Sequence, residues 1–221
     1  MIAREREPLP PLSYILFHSS ELTRTEKLNR SFGTLPPDQY LKGDYMFRYR
    51  RFDRLLSSKS GYNMWLPNEP YGQSAQTNSY AGGIARQFES LDDDLRRFSS
   101  ETVIPHILPH LSDGLYEFGI HTIRIVADEN NEGFPAPEGP HQDGNDYEAL
   151  FCVSKENTKG AITTLATASL PDTPIITTVL APGDMLIFDD RALIHYTTSI
   201  SPEFSNKKTH RDIFAIGINK K

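Results

Sequence analysis

Between residues 115 and 218 the chain alternates short apolar runs with turn residues. The runs are "LYEFGIHTIRIVA" (115–127), "YEALFCVS" (147–154), "AITTLAT" (161–167), "IITTVL" (175–180), "DMLIFDD" (184–190), "LIHYTTSI" (193–200) and "RDIFAIGI" (211–218). They are rich in β-branched and aromatic residues, and "NEGFPAPEGP", "ENTKG", "LPDTP" and "APGD" separate them as turns. Short strands at such spacing predict an all-β sandwich or barrel. Upstream, "DYMFRYRRF" (44–52) sets Tyr45, Phe47 and Tyr49 against Met46, Arg48 and Arg50, a strand with one polar face. Residues 61–83 read as a long loop rich in Gly, Asn, Gln, Tyr and Pro, a length that is uncommon unless functional or mobile. Residues 84–111 are predicted to be helical, because Ile84, Phe88, Leu91, Leu95 and Phe98 recur at helical spacing. Residues 1–11 read as a loose arm. The expected fold is mainly β with flanking helices: a double-stranded β-helix (jelly roll, cupin-like) over about 115–218, inside one domain spanning 1–221.

Composition narrows the functional classes. At 221 residues, 38% hydrophobic and 24% charged, the chain has the make-up of a soluble globular domain. A net charge of −6 argues against nucleic acid or an anionic membrane as partner. The single cysteine, Cys152, excludes an internal disulfide framework and fits a reducing compartment, so a cytoplasmic location is expected. Its setting, "ALFCVS", reads as that of a buried small hydrophobe. The first residues carry charges of both signs and prolines where a signal peptide would be apolar. No apolar run approaches the ~18 residues of a membrane span.

Candidate chemistry centres on "GPHQDG" (139–144). In an extended chain, side chains at i and i+2 leave the same face, so His141 and Asp143 can converge on one ion while Gln142 points away. A His-x-Asp triplet is weak evidence alone in a chain with 7 histidines, and an ordinary polar turn is the competing reading. A second histidine would complete a 2-His-1-carboxylate triad, the donor set of non-haem Fe(II) oxygenases. His195, on a β-run following "APGDMLIFDD", is the best candidate. His106 and His110 have helical spacing, but Pro105 and Pro109 disrupt that helix. His121 alternates with apolar residues and either lines a cavity or hydrogen-bonds in the core. Arg211 opens the last strand, where its guanidinium either grips a dicarboxylate or pairs with Asp212 or Asp190. Arg124, inside the apolar "HTIRIVA", needs a carboxylate partner from the protein or from a ligand.

Several motifs occur together and in order: "RYRRF", "QTNSYAGGIARQFESL" (76–91), "IHTIRI", "PEGPHQDGNDYEAL", "DDRALIH" and "HRDIFAIGI". On these the chain resembles, over roughly 45–218, the bacterial 2-oxoglutarate/Fe(II) dioxygenases that include the free L-isoleucine hydroxylases. The resemblance implies a double-stranded β-helix, Fe(II) held by His141, Asp143 and His195, and 2-oxoglutarate anchored by Arg211. It implies hydroxylation of an unactivated C–H bond using O₂, with release of succinate and CO₂ and with ascorbate as a stimulant. Asp143 favours hydroxylation over halogenation, since related halogenases lack that carboxylate. The chain departs from the family pattern at Thr122, at His210 and across 154–181, none of them a metal ligand. The expected partner is a small molecule, a free aliphatic amino acid, rather than nucleic acid or membrane. Its carboxylate is expected to meet Arg124, and its amine Gln76, Asn78 or Glu148. The alternatives are the same chemistry on a peptide, a carrier-bound residue or another small molecule, and a non-enzymatic metal-binding jelly roll.

Overall fold

The computed structural model describes residues 13–22, 25–43, 45–73 and 82–221. In chain order the elements are β1 (Tyr14–His18), α1 (Glu26–Gly33), β2 (Arg48–Ser58), β3 (Asn63–Trp65), α2 (Asp93–Phe98), α3 (Ile104–Ile107), β4 (Leu115–Ala127), β5 (Tyr147–Glu156), β6 (Thr158–Gly160), β7 (Ile162–Thr167), β8 (Leu170–Val179), β9 (Asp184–Asp189), β10 (Leu193–Thr197), β11 (Ile200–Pro202) and β12 (Thr209–Lys220). A seven-stranded sheet runs β1-β9-β5-β12-β4-β2-β3, and smaller sheets run β10-β7-β8 and β11-β6. Every pairing is antiparallel. The fold is the mainly β jelly roll.

Strand alternation assigns the two faces of the large sheet. Phe118 and Ile120 of β4, Phe151 and Val153 of β5, and Phe214, Ile216 and Ile218 of β12 pack with Leu28, Phe32, Leu95, Ile104 and Ile107 of the helices. The opposite residues of the same strands, Leu150, Cys152 and Ile213, pack with Leu165 of β7 and Leu193 of β10. Cys152 is thus the buried small residue its setting indicates. Among the described residues no helix is long and apolar enough to cross a membrane.

Three expectations about elements are corrected. The helix does not begin at residue 84. Asp92 caps α2 by accepting from the Leu95 amide at 2.8 Å, with Asp93 and Asp94 in the first turn. Three acidic residues favour a helix N-terminus at that point. Residues 84–91 instead run as irregular chain along β2, with the Phe52 amide donating to the Glu89 carbonyl at 3.0 Å. Beyond α2 the helix continues as a π-turn (Ser99–Val103) into α3, so Pro105 is absorbed at the start of a new turn rather than ending the helix. Second, "LPDTP" is not a turn: it lies within β8, an exposed edge strand where prolines cost no ladder hydrogen bond. Third, "LIHYTTSI" divides into β10 and β11. Gly160 sits opposite this break with φ 81°, and a Cβ there would lie 2.1 Å from the Ser199 carbonyl oxygen. The loose arm expected at 1–11 lies outside the described residues.

Candidate metal centre and its cavity

The two halves of the expected triad are tied backbone to backbone. The His141 amide donates to the His195 carbonyl at 3.0 Å, and the His195 amide donates back to His141 at 2.8 Å. This isolated bridge fastens the "GPHQDG" segment to β10. Gly139 (φ 81°) and Gly144 (φ 86°) adopt the left-handed backbone that turns the chain on either side. The imidazole centroids stand 4.2 Å apart. His141, Asp143 and His195 each offer a ligand atom, all within 4.8 Å of one another.

Hydrogen bonding orients these groups. His141 Nδ1 donates to the Gly139 carbonyl at 2.7 Å, which directs Nε2 inward. Nε2 lies 3.6 Å from one Asp143 oxygen, and His195 Nε2 lies 3.5 Å from the other. These separations exceed good hydrogen bonds, so the three donors face a common point. Three donors with open positions beside them fit a facial triad for Fe(II). Asp143 is held from two sides. Gln73 Nε2 donates to its Oδ1 at 2.7 Å. The Asp190 carboxylate accepts from the amides of Asp143, Gly144 and Asn145 at 3.1, 2.7 and 2.8 Å. Such supporting shells fix ligand orientation and tune affinity.

The electrostatics follow. Burial opposes ionisation of Asp143, but the neighbouring imidazoles of His141 and His195 and the Gln73 hydrogen bond outweigh it and hold the carboxyl below its ordinary range. Burial would also lower His141, yet the adjacent carboxylates of Asp143 and Glu138 raise it to about 9. Burial keeps His195 neutral, with a pKa lowered to about 4. Glu138 sits 3.2 Å from His141 Nε2, a contact that a metal held at Nε2 would displace.

The triad opens into a cavity of about 330 Å³, within the usual range for small-molecule sites. Its apolar walls include Ile123, Ile125, Leu150, Ile213 and Ala215. Arg211 also lines it, 2% exposed, and its Nε and Nη2 have no hydrogen-bond partner. The protein pairing considered for Arg211 does not occur. Asp212 is taken by Arg124, and Asp190 by the backbone amides of the Asp143 loop. A buried guanidinium without a counter-charge is costly, so its place in this cavity marks it for an anionic ligand.

The residues expected to meet the substrate are placed differently from one another. Arg124 is corrected: its Nε and Nη2 donate to both Asp212 oxygens at 2.7 Å, in cross-strand register. It occupies the helix-side face of β4, while Gly119, His121, Ile123 and Ile125 face the cavity. The carboxylate partner it requires is the protein's own. Arg124→Met is expected to cost about 3 kcal/mol by stranding the charge of buried Asp212, without changing the KM for any cavity ligand. Urea denaturation and steady-state assays check this; an altered KM with unchanged stability would return Arg124 to the site.

Glu148 does line the cavity, with Asn145 Nδ2 donating to it at 3.1 Å. Burial, joined by the charges of Asp143 and Asp190, raises its pKa well above the ordinary carboxylate value. With the folded pKa above the unfolded one, its contribution to stability is full below the unfolded pKa and is lost as pH rises toward the folded pKa. Metal-free Glu148→Gln should therefore match the wild type in Tm near pH 4, about the unfolded glutamate pKa, and exceed it around neutrality. Equal Tm at both pH values would contradict this. Gln76 and Asn78 lie outside the described residues.

Several lining residues were not singled out from sequence. Arg48 and Arg50 were read as the polar face of a strand; that face turns inward to the cavity. Arg86, Gln73 and Glu138 join them from irregular segments. Of the two readings of His121, both hold: it lines the cavity, and its Nδ1 accepts from Arg50 Nη2 at 2.6 Å. Period-two arginines in "FRYRRFDR" were the available signal.

The comparisons with known proteins agree with this geometry. No curated protein matches the sequence. Among solved structures, a bsmA homolog from Methylobium petroleophilum PM1 superposes with TM-score 0.74 at 25% identity, covering 88% of this chain and 80% of that one. IDO from Bacillus thuringiensis gives TM-score 0.70 at 17% identity, covering 95% and 91%. The Fe(II)/α-ketoglutarate-dependent dioxygenase TqaL gives 0.64 at 15%, covering 94% and 82%. The family model described as 2OG-Fe dioxygenase matches residues 29–217, a span that contains the whole His-Asp-His cluster and Arg211. The chain belongs to the 2OG-Fe dioxygenase family, whose chemistry uses Fe(II), 2-oxoglutarate and O₂.

Proposed function

We propose that this dioxygenase hydroxylates an unactivated C–H bond of a free, aliphatic L-amino acid, and that it falls with the free L-isoleucine hydroxylases. The observation that carries the dioxygenase part is the pairing of the triad with Arg211, buried and uncompensated, in one cavity. In this reading His141, Asp143 and His195 hold Fe(II), and Arg211 takes the distal carboxylate of 2-oxoglutarate through a forked hydrogen bond. Bound together, the metal and 2-oxoglutarate supply O₂ activation, with succinate and CO₂ as co-products. Asp190 and Gln73 keep the Asp143 carboxylate aimed at the metal position. The apolar side chains around it exclude water and place a C–H bond near the centre. Ascorbate is expected to stimulate turnover.

A small cavity with apolar walls supports an aliphatic side chain, and Glu148 supplies a polar group for an amine. The test is succinate release by the Fe(II)-loaded protein with 2-oxoglutarate and ascorbate against a panel of free L-amino acids. A large increase with one or a few aliphatic members is expected. Slow succinate release indifferent to every amino acid would remove the substrate assignment while leaving the chemistry.

A further inference from the structure

The wall of the cavity formed by β2 carries more positive charge than the protein neutralises. Arg48, Arg50 and Arg86 all line it, at 5%, 5% and 2% exposure. A single carboxylate, Asp38, serves them: its Oδ2 lies 2.8 Å from Arg48 Nε and 3.6 Å from Arg50 Nη1. Arg50's closest partner is His121 Nδ1, a neutral acceptor, and its guanidinium lies 4.3 Å over the Phe88 ring. Arg86 donates from Nη2 to Gln73 Oε1 at 2.6 Å, lies 4.9 Å over Tyr71 and makes no ion pair with a described carboxylate. The Nε atoms of both Arg50 and Arg86 are buried without partners. Asp143 is engaged with the imidazoles and Gln73, Glu148 with Asn145 and Glu117 with Arg54, and Glu138 makes no ion pair with Arg50 or Arg86.

This cluster is separate from Arg211. In the large sheet β12 and β2 flank β4, and Ile125 pairs with Arg211 on one side and with Arg48 on the other. Two strand spacings separate their backbones by about 10 Å. The two cationic groups therefore rise from different strands of the cavity wall. Two desolvated guanidinia with donors to spare, beside flat aromatic rings and with only the Asp38 carboxylate that Arg48 already holds as counter-ion, form a receptor for a carboxylate.

We propose that Arg50 and Arg86 form a second anion subsite, which binds a free carboxylate of the substrate at the β2 wall while Arg211 serves 2-oxoglutarate; this rests on the dioxygenase reading. It selects among the substrate classes. A residue tethered to a carrier as a thioester, or held inside a peptide, has no free α-carboxylate to offer. A free amino acid does. Gln73 links the two functions, since it accepts from Arg86 and donates to Asp143.

The test uses full-length protein loaded with Zn(II), which prevents turnover. Binding of 2-oxoglutarate is measured first by calorimetry. With 2-oxoglutarate saturating, L-isoleucine, 3-methylpentanoate, L-isoleucinamide and 2-methylbutylamine are then titrated, a series that shares one side chain and differs in the carboxylate. The two carboxylates are expected to bind and the amide and amine to bind at least 10-fold more weakly, a comparison that needs no variant. Arg86→Ala should weaken the carboxylates about 30-fold or more, with 2-oxoglutarate affinity no lower than in Gln73→Ala, which removes only the side-chain support of Asp143; Arg86→Lys should recover part of the loss. Equal binding of amide and acid, no binding of either carboxylate, or carboxylate affinity indifferent to Arg86→Ala would overturn the proposal. So would a loss of 2-oxoglutarate affinity in Arg86→Ala that Gln73→Ala does not share, which would assign the cluster to the cosubstrate. Failure of the wild type to bind 2-oxoglutarate would instead strike the parent reading, and titrating the carboxylates without 2-oxoglutarate would still judge the subsite by the same contrasts.

Discussion

Asp143→Ala is expected to abolish 2-oxoglutarate turnover while leaving the fold intact. The carboxylate is the one anionic donor in the triad and faces both imidazoles, at 3.6 and 3.5 Å. Removing a mere outer partner of a metal ligand typically lowers affinity or activity about 10–100-fold; removing the ligand itself should exceed 100-fold. The protein should survive the change. Asp190 is raised to about 6 by burial and then by the Asp143 charge, so deleting that charge relieves repulsion around the loop. The Asp190 bonds to the loop amides do not involve the Asp143 side chain. Iron content, circular dichroism and succinate release together check this. Full activity in Asp143→Ala would remove Asp143 from the triad.

The second large effect is at Arg211. Arg211→Leu should raise the KM for 2-oxoglutarate by about 30-fold to over 1000-fold, the 2–5 kcal/mol associated with truncating one side of a buried charged hydrogen-bonded pair. The same change should leave the ligand-free protein at least as stable as the wild type. Arg211 is buried with unsatisfied donors and no protein carboxylate, and replacing an unneutralised buried charge with an apolar side chain removes a desolvation cost. A purely structural arginine would behave oppositely, losing stability while keeping its KM. Excess 2-oxoglutarate should raise the Tm of the metal-loaded wild type, and this shift should vanish in Arg211→Leu. An unchanged KM in the variant would release Arg211 from the cosubstrate.

Much of this was legible in the chain because it is local. The β-run 115–127 became β4 with the same bounds, and five of the other six runs became strands with ends moved by a few residues. His141 and Asp143 share a face by simple alternation, and the apolar run around His195 places it on a rigid strand. What was not legible depends on packing. Alternation in "DYMFRYRRF" separates two faces but does not tell which turns inward. There the polar face lines the cavity, while Tyr49 packs against the helix-side core. Arg86 fell in a stretch whose apolar spacing imitates a helix until Asp92 caps the real one. α1 is only eight residues long and its apolar contribution is Leu28 and Phe32, too little periodicity to stand out. Arg124 and Arg211 sit one register position apart near the same end of the β4–β12 ladder, yet one meets Asp212 across the ladder and the other meets nothing. Sequence alone marked both as needing a partner, and only the register decides which one still does.

The most direct measurement is an anaerobic titration of 2-oxoglutarate into the Fe(II)-loaded protein, followed by calorimetry and visible absorption. One 2-oxoglutarate per chain should bind, dependent on the metal and on His141, Asp143, His195 and Arg211, with a charge-transfer band that appears only when iron and 2-oxoglutarate are both present. Metal-independent binding, or no binding to protein whose iron content is confirmed, would contradict the assignment of this cavity as a 2-oxoglutarate/Fe(II) site.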